Sequence, residues 1–224
     1  MRFKSKTVQV DPRHPADDAI MKAAAAVRSG GVIAFPTRCL YGLGAEAFNN
    51  EAVARIFSIK QRSVDNPILI LIDRPDRLDQ LVSEVSPAAA RIMDRFWPGR
   101  ITLVFKAVGD VPSYLTAGTG KIGIRLPGHP VAAALLRALQ TPLTGTSANL
   151  SGKPGCRRIE DLELQIAGKL DLILDAGPLK GGRGSTVVDV TLDPPKVLRE
   201  GEVSEIEIMK LVDNNNSEPH QQDD

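Results

Sequence analysis

Residues 121–153 read KIGIRLPGHPVAAALLRALQTPLTGTSANLSGK, and the fold turns on how they are read. Lys121, Gly123 and Arg125 alternate with Ile122, Ile124 and Leu126, the period of a strand with one face buried. Pro127 and Gly128 stop it. Residues 131–139 are rich in Ala and Leu and predict a helix, with Pro130 in the first turn, where a missing N–H costs nothing. A second short strand begins at residues 142–145. Thr144, Thr146, Ser147, Asn149 and Ser151 then crowd a polar loop. Hydroxyls and amides at that density, beside a strand carrying Lys121 and Arg125, suit an anionic ligand. The same residue types also make an ordinary solvated turn, and the stretch alone leaves both readings open.

Outward from this unit, strand and helix signals alternate. Towards the N-terminus we expect strands at 7–10, 32–35, 67–72 and 101–106. Helices are expected at 16–28, 51–60, 78–85 and 87–96. Asp17 and Asp18 open the first helix, where carboxylates suit the dipole. Ser86 and Pro87 form a cap and first turn for the last of these. Residues 36–44 read as a loop. Towards the C-terminus we expect a helix at 159–170, strands at 172–174, 185–190 and 197–199, and a closing helix at 203–212. Residues 177–184, GPLKGGRG, form a basic loop. The pattern predicts a single α/β domain over residues 1–212, a twisted mixed sheet flanked by helices. Residues 213–224, DNNNSEPHQQDD, have no apolar residue and are expected to be a disordered tail.

Composition narrows the function classes. With 42% hydrophobic residues the chain can fill a core, and with 4% aromatic residues that core must be aliphatic. Lys plus Arg number 28 against 27 Asp plus Glu, so overall charge makes no case for nucleic acid, and any basic site must be local. Cys39 and Cys156 make neither a disulfide framework nor a zinc set with the three histidines. A reducing, cytoplasmic setting fits. No signal core opens the chain, and no apolar run approaches the ~20 residues of a membrane span. The P-loop pattern, G-x-S-x-G and a completed G-x-G-x-x-G are absent. His129 beside Pro130 reads as a turn cap. What remains is a spread of cations at element ends beside Gly/Ser/Thr loops: Lys60, Arg62, Lys121, Arg125, Arg183 and Arg199. Polyphosphate chemistry asks little more of a protein than positioning and positive charge.

Seven blocks then carry a resemblance: GGVIAFPTRCLYGLG, IKQRSVDNPILILI, FWPGRITLVF, KIGIRLPGHPVA, PLTGTSANLSG, DLILDAGP with GSTVVDVT, and VLREGEV. Their order, from about Gly30 to Glu202, resembles the YrdC/TsaC-like family of L-threonylcarbamoyladenylate synthases. The resemblance implies a twisted α/β sheet with a basic concave face. It implies the reaction of L-threonine, bicarbonate and ATP, the last with Mg2+, to threonylcarbamoyl-AMP and pyrophosphate. A separate tRNA threonylcarbamoyl transferase would use the product to make N6-threonylcarbamoyladenosine. Direct binding of tRNA or double-stranded RNA is a further implication. An RNA-binding module that uses the basic face without catalysis is the alternative. No membrane partner is implied.

By position, Thr37 matches a threonine contact and Arg125 an arginine that pairs with the threonine carboxylate. Lys60 and Arg62 match a Lys-x-Arg pair over the nucleotide phosphates. Ser147 and Asn149 match a Ser-x-Asn pair near them; these four are the expected catalytic set. Lys121 and Arg199 resemble nucleotide contacts, and Ser185 a threonine-side contact. Gly145, on the threonine side, and Gly155, on the nucleotide side, fall where backbone approaches ligand. No metal ligands are expected from the protein. A superfamily relative lacks both the Lys-x-Arg and Ser-x-Asn pairs; their presence here favours the synthase. One departure stands out: the family's turn commonly reads Pro-Thr-acid-Thr, whereas this chain has Pro36-Thr37-Arg38-Cys39. The folded region is expected to end near residue 212, without the extra C-terminal domain of longer members.

Overall fold

Ile122 and Ile124 are fully buried, while Lys121, Gly123 and Arg125 between them are not. The alternation is thus a strand between a packed face and an open one. The structure, a computed structural model, describes residues 6–213. Among them ten strands form one mixed sheet: β1 (Thr7–Gln9), β2 (Ile33–Pro36), β3 (Tyr41–Gly44), β4 (Leu69–Leu71), β5 (Ile101–Lys106), β6 (Lys121–Arg125), β7 (Leu143–Ser147), β8 (Leu172–Asp175), β9 (Thr186–Asp189) and β10 (Lys196–Arg199). Their order is β1-β8-β2-β3-β7-β4-β6-β5-β9-β10. The helices are α1 (Asp17–Arg28), α2 (Asn50–Lys60), α3 (Pro87–Phe96), α4 (Ser113–Thr116), α5 (Pro130–Leu139), α6 (Leu164–Ala167) and α7 (Glu205–Asp213). The expected α/β class with a mixed sheet flanked by helices is what is found.

The caps read in the sequence form. Ser86 accepts from the Ala89 amide at the start of α3, and His129 accepts from the Val131 amide at the start of α5. Three local expectations are corrected. Residues 41–44 are a strand, because Gly42 and Gly44 are there for close approach rather than for a turn. A Cβ on Gly44 would lie 2.8 Å from Phe35 and 2.9 Å from Leu143. The helix expected at 78–85 is a 3₁₀ helix, Pro75–Gln80, after which Val82 is drawn into a bridge with Ala107. The helix expected at 159–170 is split by extended Leu162 and Glu163, so that Leu162, Ile166 and Leu170 all reach one core. The short α4 had no sequence signal. The tail expected at 213–224 lies outside the described residues except for Asp213, which closes α7.

Register shows how the two faces differ. Residues paired across strands share a face. One face carries Ile122, Ile124, Leu103, Phe105 and Val188, all buried against α2, α3 and α7 in the larger core. The other face carries, by pairing, Gly42 with Ser147, Leu69 with Gly145, Leu71 with Arg125, Val104 with Gly123, Thr102 with Val187, and Val187 with Arg199. Helices α1 and α5 cover part of that face, packing on Ile33, Phe35, Leu71, Leu143 and Leu174. That cluster stops at β4 and takes no residue from β5, β6, β9 or β10. Leu69, Val104, Gly123, Gly145 and Val187 are left partly exposed. Half of one sheet face is therefore bare and floored by small residues.

The turn after β10 is bolted to the packed face through Thr186, which pairs with Ile101. Its hydroxyl accepts from the Gly201 and Val203 amides at 2.9 and 3.0 Å and donates to the Val203 carbonyl at 2.6 Å. A Cβ on Gly201 would stand 2.1 to 2.5 Å from the Gly184, Ser185 and Thr186 backbone. Backbone cannot step aside as a side chain can. Gly201→Ala should therefore cost about 1–3 kcal/mol of unfolding free energy, as overpacking does. Denaturant titration measures it, and an unchanged midpoint would contradict this packing.

Candidate functional site

Helix α2 delivers Lys60 at its last turn, and Lys60 is 1% exposed. Its ammonium donates to the Ser147 carbonyl, to the Asn149 carbonyl at 2.8 Å and to Asn149 Oδ1 at 3.3 Å. Its backbone carbonyl accepts from the Ser151 amide at 2.9 Å. The Asn149 amide nitrogen is committed in turn to the Leu150 and Lys153 carbonyls. Lys60 and Asn149 thus hold the turn after β7 from beneath, and Ser147 stands exposed above them. Burial, and to a lesser degree Arg62, push the Lys60 ammonium down to about 8.

Arg62 lies just past α2. Its guanidinium donates to the Asn66 and Pro67 carbonyls, both at 3.0 Å. Burial lowers its pKa, and the nearby Arg199 charge lowers it further. Arg199 donates to the Ser185 carbonyl at 2.9 Å, and the Ser185 hydroxyl bonds that of Thr102 at 2.8 Å. Thr37 sits in the β2–β3 turn with its hydroxyl donating to the Leu40 carbonyl at 2.6 Å. A Cβ on Gly42 would touch the Thr37 methyl at 3.2 Å, which places Thr37 on the bare side of the sheet.

Arg125 ends β6 and donates to the Gly99 carbonyl, while its Nε is buried without a partner. Burial brings its pKa down to about 10, against the opposing charge of Glu202. Beside it opens a cleft of about 320 Å³, lined by Arg38, Cys39, Arg100, Lys180, Arg183 and Glu202 among others. The Cys39 thiol is raised by burial and then by Glu202.

The bare half-face thus brings together Thr37, Arg62, Arg125, Ser147, Ser185 and Arg199, with Lys60 and Asn149 directly below. Lys121 stands apart. It begins the strand that Arg125 ends, roughly 13 Å away at ~3.3 Å per residue, and it pairs with Asp189 at 2.8 Å. Burial opposes ionisation of Asp189, but hydrogen bonds from Lys121 and Thr191 outweigh it and hold that carboxyl below its usual range. Gly145 and Gly155 are accounted for by packing: a Cβ would meet Leu69 at the first and Leu40 at the second, both at 2.9 Å. Glu202, Cys39 and Lys180 escaped the sequence reading. The one signal was an acid placed between Gly201 and Val203, close after Arg199.

Residues 25–201 match the Sua5/YciO/YrdC family, described as "Telomere recombination". The chain belongs to that family. A curated relative from Pyrococcus abyssi named threonylcarbamoyl-AMP synthase is 39% identical over 190 residues, 85% of this chain and 56% of its own length. A second, from Bacillus subtilis, is 39% identical over 197 residues, covering 88% of this chain and 57% of that one. The chain therefore spans little more than half the length of these two relatives. The crystal structure of P. abyssi Sua5 complexed with L-threonine has a TM-score of 0.87 and 37% identity, covering 92% of this chain and 60% of that one. No described helix is long and apolar enough to cross a membrane.

The buried ammonium has a signature in stability. Between pH 8 and the unperturbed value of 10.5, the unfolded chain keeps the Lys60 proton and the folded chain has lost it. The unfolded state binds more protons there, so stability rises with pH across that window and is flat below it. Lys60→Met abolishes this contribution. Denaturation on either side of the window should show wild type gaining on the variant as pH rises; a constant difference would contradict the assignment.

Proposed function

We propose that this chain is a threonylcarbamoyl-AMP synthase, joining L-threonine, bicarbonate and ATP and releasing pyrophosphate. The observation that carries the reading is the juxtaposition on one bare half-face: a cationic edge at Arg62 and Arg199, and an amino-acid edge at Arg125 and Thr37, separated by glycine floor. The relatives' name and the threonine complex of the P. abyssi protein support it.

The threonine amine takes up bicarbonate, with loss of water, to give a carbamate. A carbamate oxygen attacks the α-phosphorus of ATP, the bond to the β-phosphate oxygen breaks, and pyrophosphate leaves. The nucleophile comes from the substrate, so no side chain need supply one. Arg125 meets the threonine carboxylate, where a planar guanidinium offers two parallel donors. The Thr37 hydroxyl already donates its hydrogen bond to the Leu40 carbonyl, so its oxygen accepts from the threonine hydroxyl or amine. Arg62, Arg199 and the exposed Ser147 face the phosphates. Cations fixed where negative charge grows lower the barrier without reorganising. Lys60 acts from below by holding Ser147 in place.

Magnesium belongs to the substrate in this scheme and arrives with ATP. The product would pass to a transferase that modifies tRNA, in the cytoplasm. An RNA-binding module without chemistry is the other reading. A net charge of +1 gives it no support, and it predicts salt-sensitive RNA binding with no pyrophosphate release.

Mass spectrometry after incubation with the three substrates should find threonylcarbamoyl-AMP, with pyrophosphate release that requires both threonine and bicarbonate. Its absence under all conditions would sink the proposal. Arg62→Ala should cost about 3 kcal/mol of barrier, roughly a hundredfold in turnover. Arg125→Lys keeps the charge and loses the fork, so the KM for threonine should rise roughly ten- to a hundredfold while that for ATP stays put. Equal effects on both KM values would remove Arg125 from the amino-acid side.

A further inference from the structure

The reaction above leaves Glu202 without a part, yet the fold holds this residue firmly. Its amide donates to the Gly184 carbonyl at 3.1 Å and its carbonyl accepts from Arg100 at 3.3 Å. The residues on either side are hydrogen-bonded to Thr186. From this anchored backbone the carboxylate reaches into the cleft, its side chain 11% exposed. Oε1 lies 3.1 Å from Arg38 Nε, on the turn that carries Thr37, and 3.8 Å from Lys180 Nζ, on the loop before β9. Oε2 is buried without a hydrogen-bond partner, as is Nε of Arg125.

Two orphan atoms on groups of opposite charge, each buried and one feeling the other's field, are costly unless that field or a ligand compensates them. Arg125 is a cation in a desolvated place with one carbonyl acceptor. The Glu202 carboxylate is its leading counter-charge, and it spends no hydrogen bond on the guanidinium. A carboxylate that bonded Arg125 directly would occupy the fork that an incoming carboxylate needs. Glu202 is instead drawn towards Arg38 and Lys180, so that it balances Arg125 while leaving Nε unspent. The same Arg38 contact fixes the turn on which Thr37 sits.

We propose that Glu202 is a positioning residue for the amino-acid side of the site: it ties the Thr37 turn down through Arg38 and balances the buried charge of Arg125 while leaving part of its fork free. This rests on the synthase reading and adds to it a residue that sets threonine affinity without touching the nucleotide. A surface ion pair would matter little. This pair differs because its acid is buried and its backbone is fixed from both sides.

The test is steady-state kinetics of the full chain, with threonine and ATP varied separately, on Glu202→Gln and Arg38→Gln. The second variant cuts the pair from its more exposed end and leaves the Glu202 carboxylate facing Lys180 and Arg125. Both should raise the threonine KM by roughly tenfold, the worth of one charge-assisted contact, with the ATP KM within about twofold of wild type. The double variant should be no worse than the poorer single one, because both break one link. A threonine KM that falls in Glu202→Gln would show a carboxylate that merely repels substrate, and would overturn the proposal. So would matched losses on threonine and ATP, the mark of a general structural role. Failure of the wild type itself to show threonine-dependent turnover would instead overturn the synthase reading, which separates the two failures. If Glu202→Gln does not fold, Arg38→Gln decides alone: a threonine KM within twofold of wild type rejects the inference.

Discussion

A lysine ammonium buried beneath a turn is the constraint on which this site depends. Lys60 cannot reach water, and an uncompensated charge at such depth costs several kcal/mol. The fold compensates it with two main-chain carbonyls and a side-chain amide oxygen, all from the end of β7 and the turn after it. Each hydrogen bond to a charged group is worth about 1.5–3 kcal/mol, so three of them are on the scale of the burial cost. Satisfying the lysine thus requires the Ser147–Asn149 turn to hold one shape. The end of α2 and the end of β7 become a single rigid unit, and Arg62, two residues after Lys60, inherits its position from it.

A second tension shapes the other edge. Burial and then the Arg199 charge lower the pKa of Arg62, and Arg125 is buried with an unspent donor. Like charges gathered on a bare, glycine-floored half-face are unfavourable in the empty protein and favourable once an anion arrives. Sites of that kind hold charge against its own repulsion, and here the Glu202 carboxylate relieves part of it. The glycines matter for the same reason. A side chain at Gly145 or Gly123 would meet Leu69 and fill the floor over which a ligand must lie. Helices α1 and α5 stop short of that floor, which is why the face is open at all.

The fold was largely legible because its signals are local. Alternation around Gly123, the Ser86 cap and the His129 cap each follow from a few neighbouring residues, and each formed. Gly42 and Gly44 misled because their meaning lies in Phe35 and Leu143, which a linear reading cannot place beside them. The site was legible only in part. Cation placement beside hydroxyl-rich loops suggested an anion, and the resemblance supplied the residues. That Lys60 lies under the turn, that Lys121 is spent on Asp189, and that Glu202 balances Arg38 all depend on partners far off in the chain. Arg38 looked anomalous in sequence because its counter-charge sits at the opposite end of the domain.

The most direct measurement is a crystal structure with L-threonine and a non-hydrolysable ATP analogue bound together. The account predicts the threonine carboxylate within hydrogen-bond distance of Arg125. It predicts the phosphates over Ser147, between Arg62 and Arg199, with both ligands on the half-face floored by Gly123 and Gly145. Threonine bound away from Arg125, or phosphates bound off that face, would contradict it.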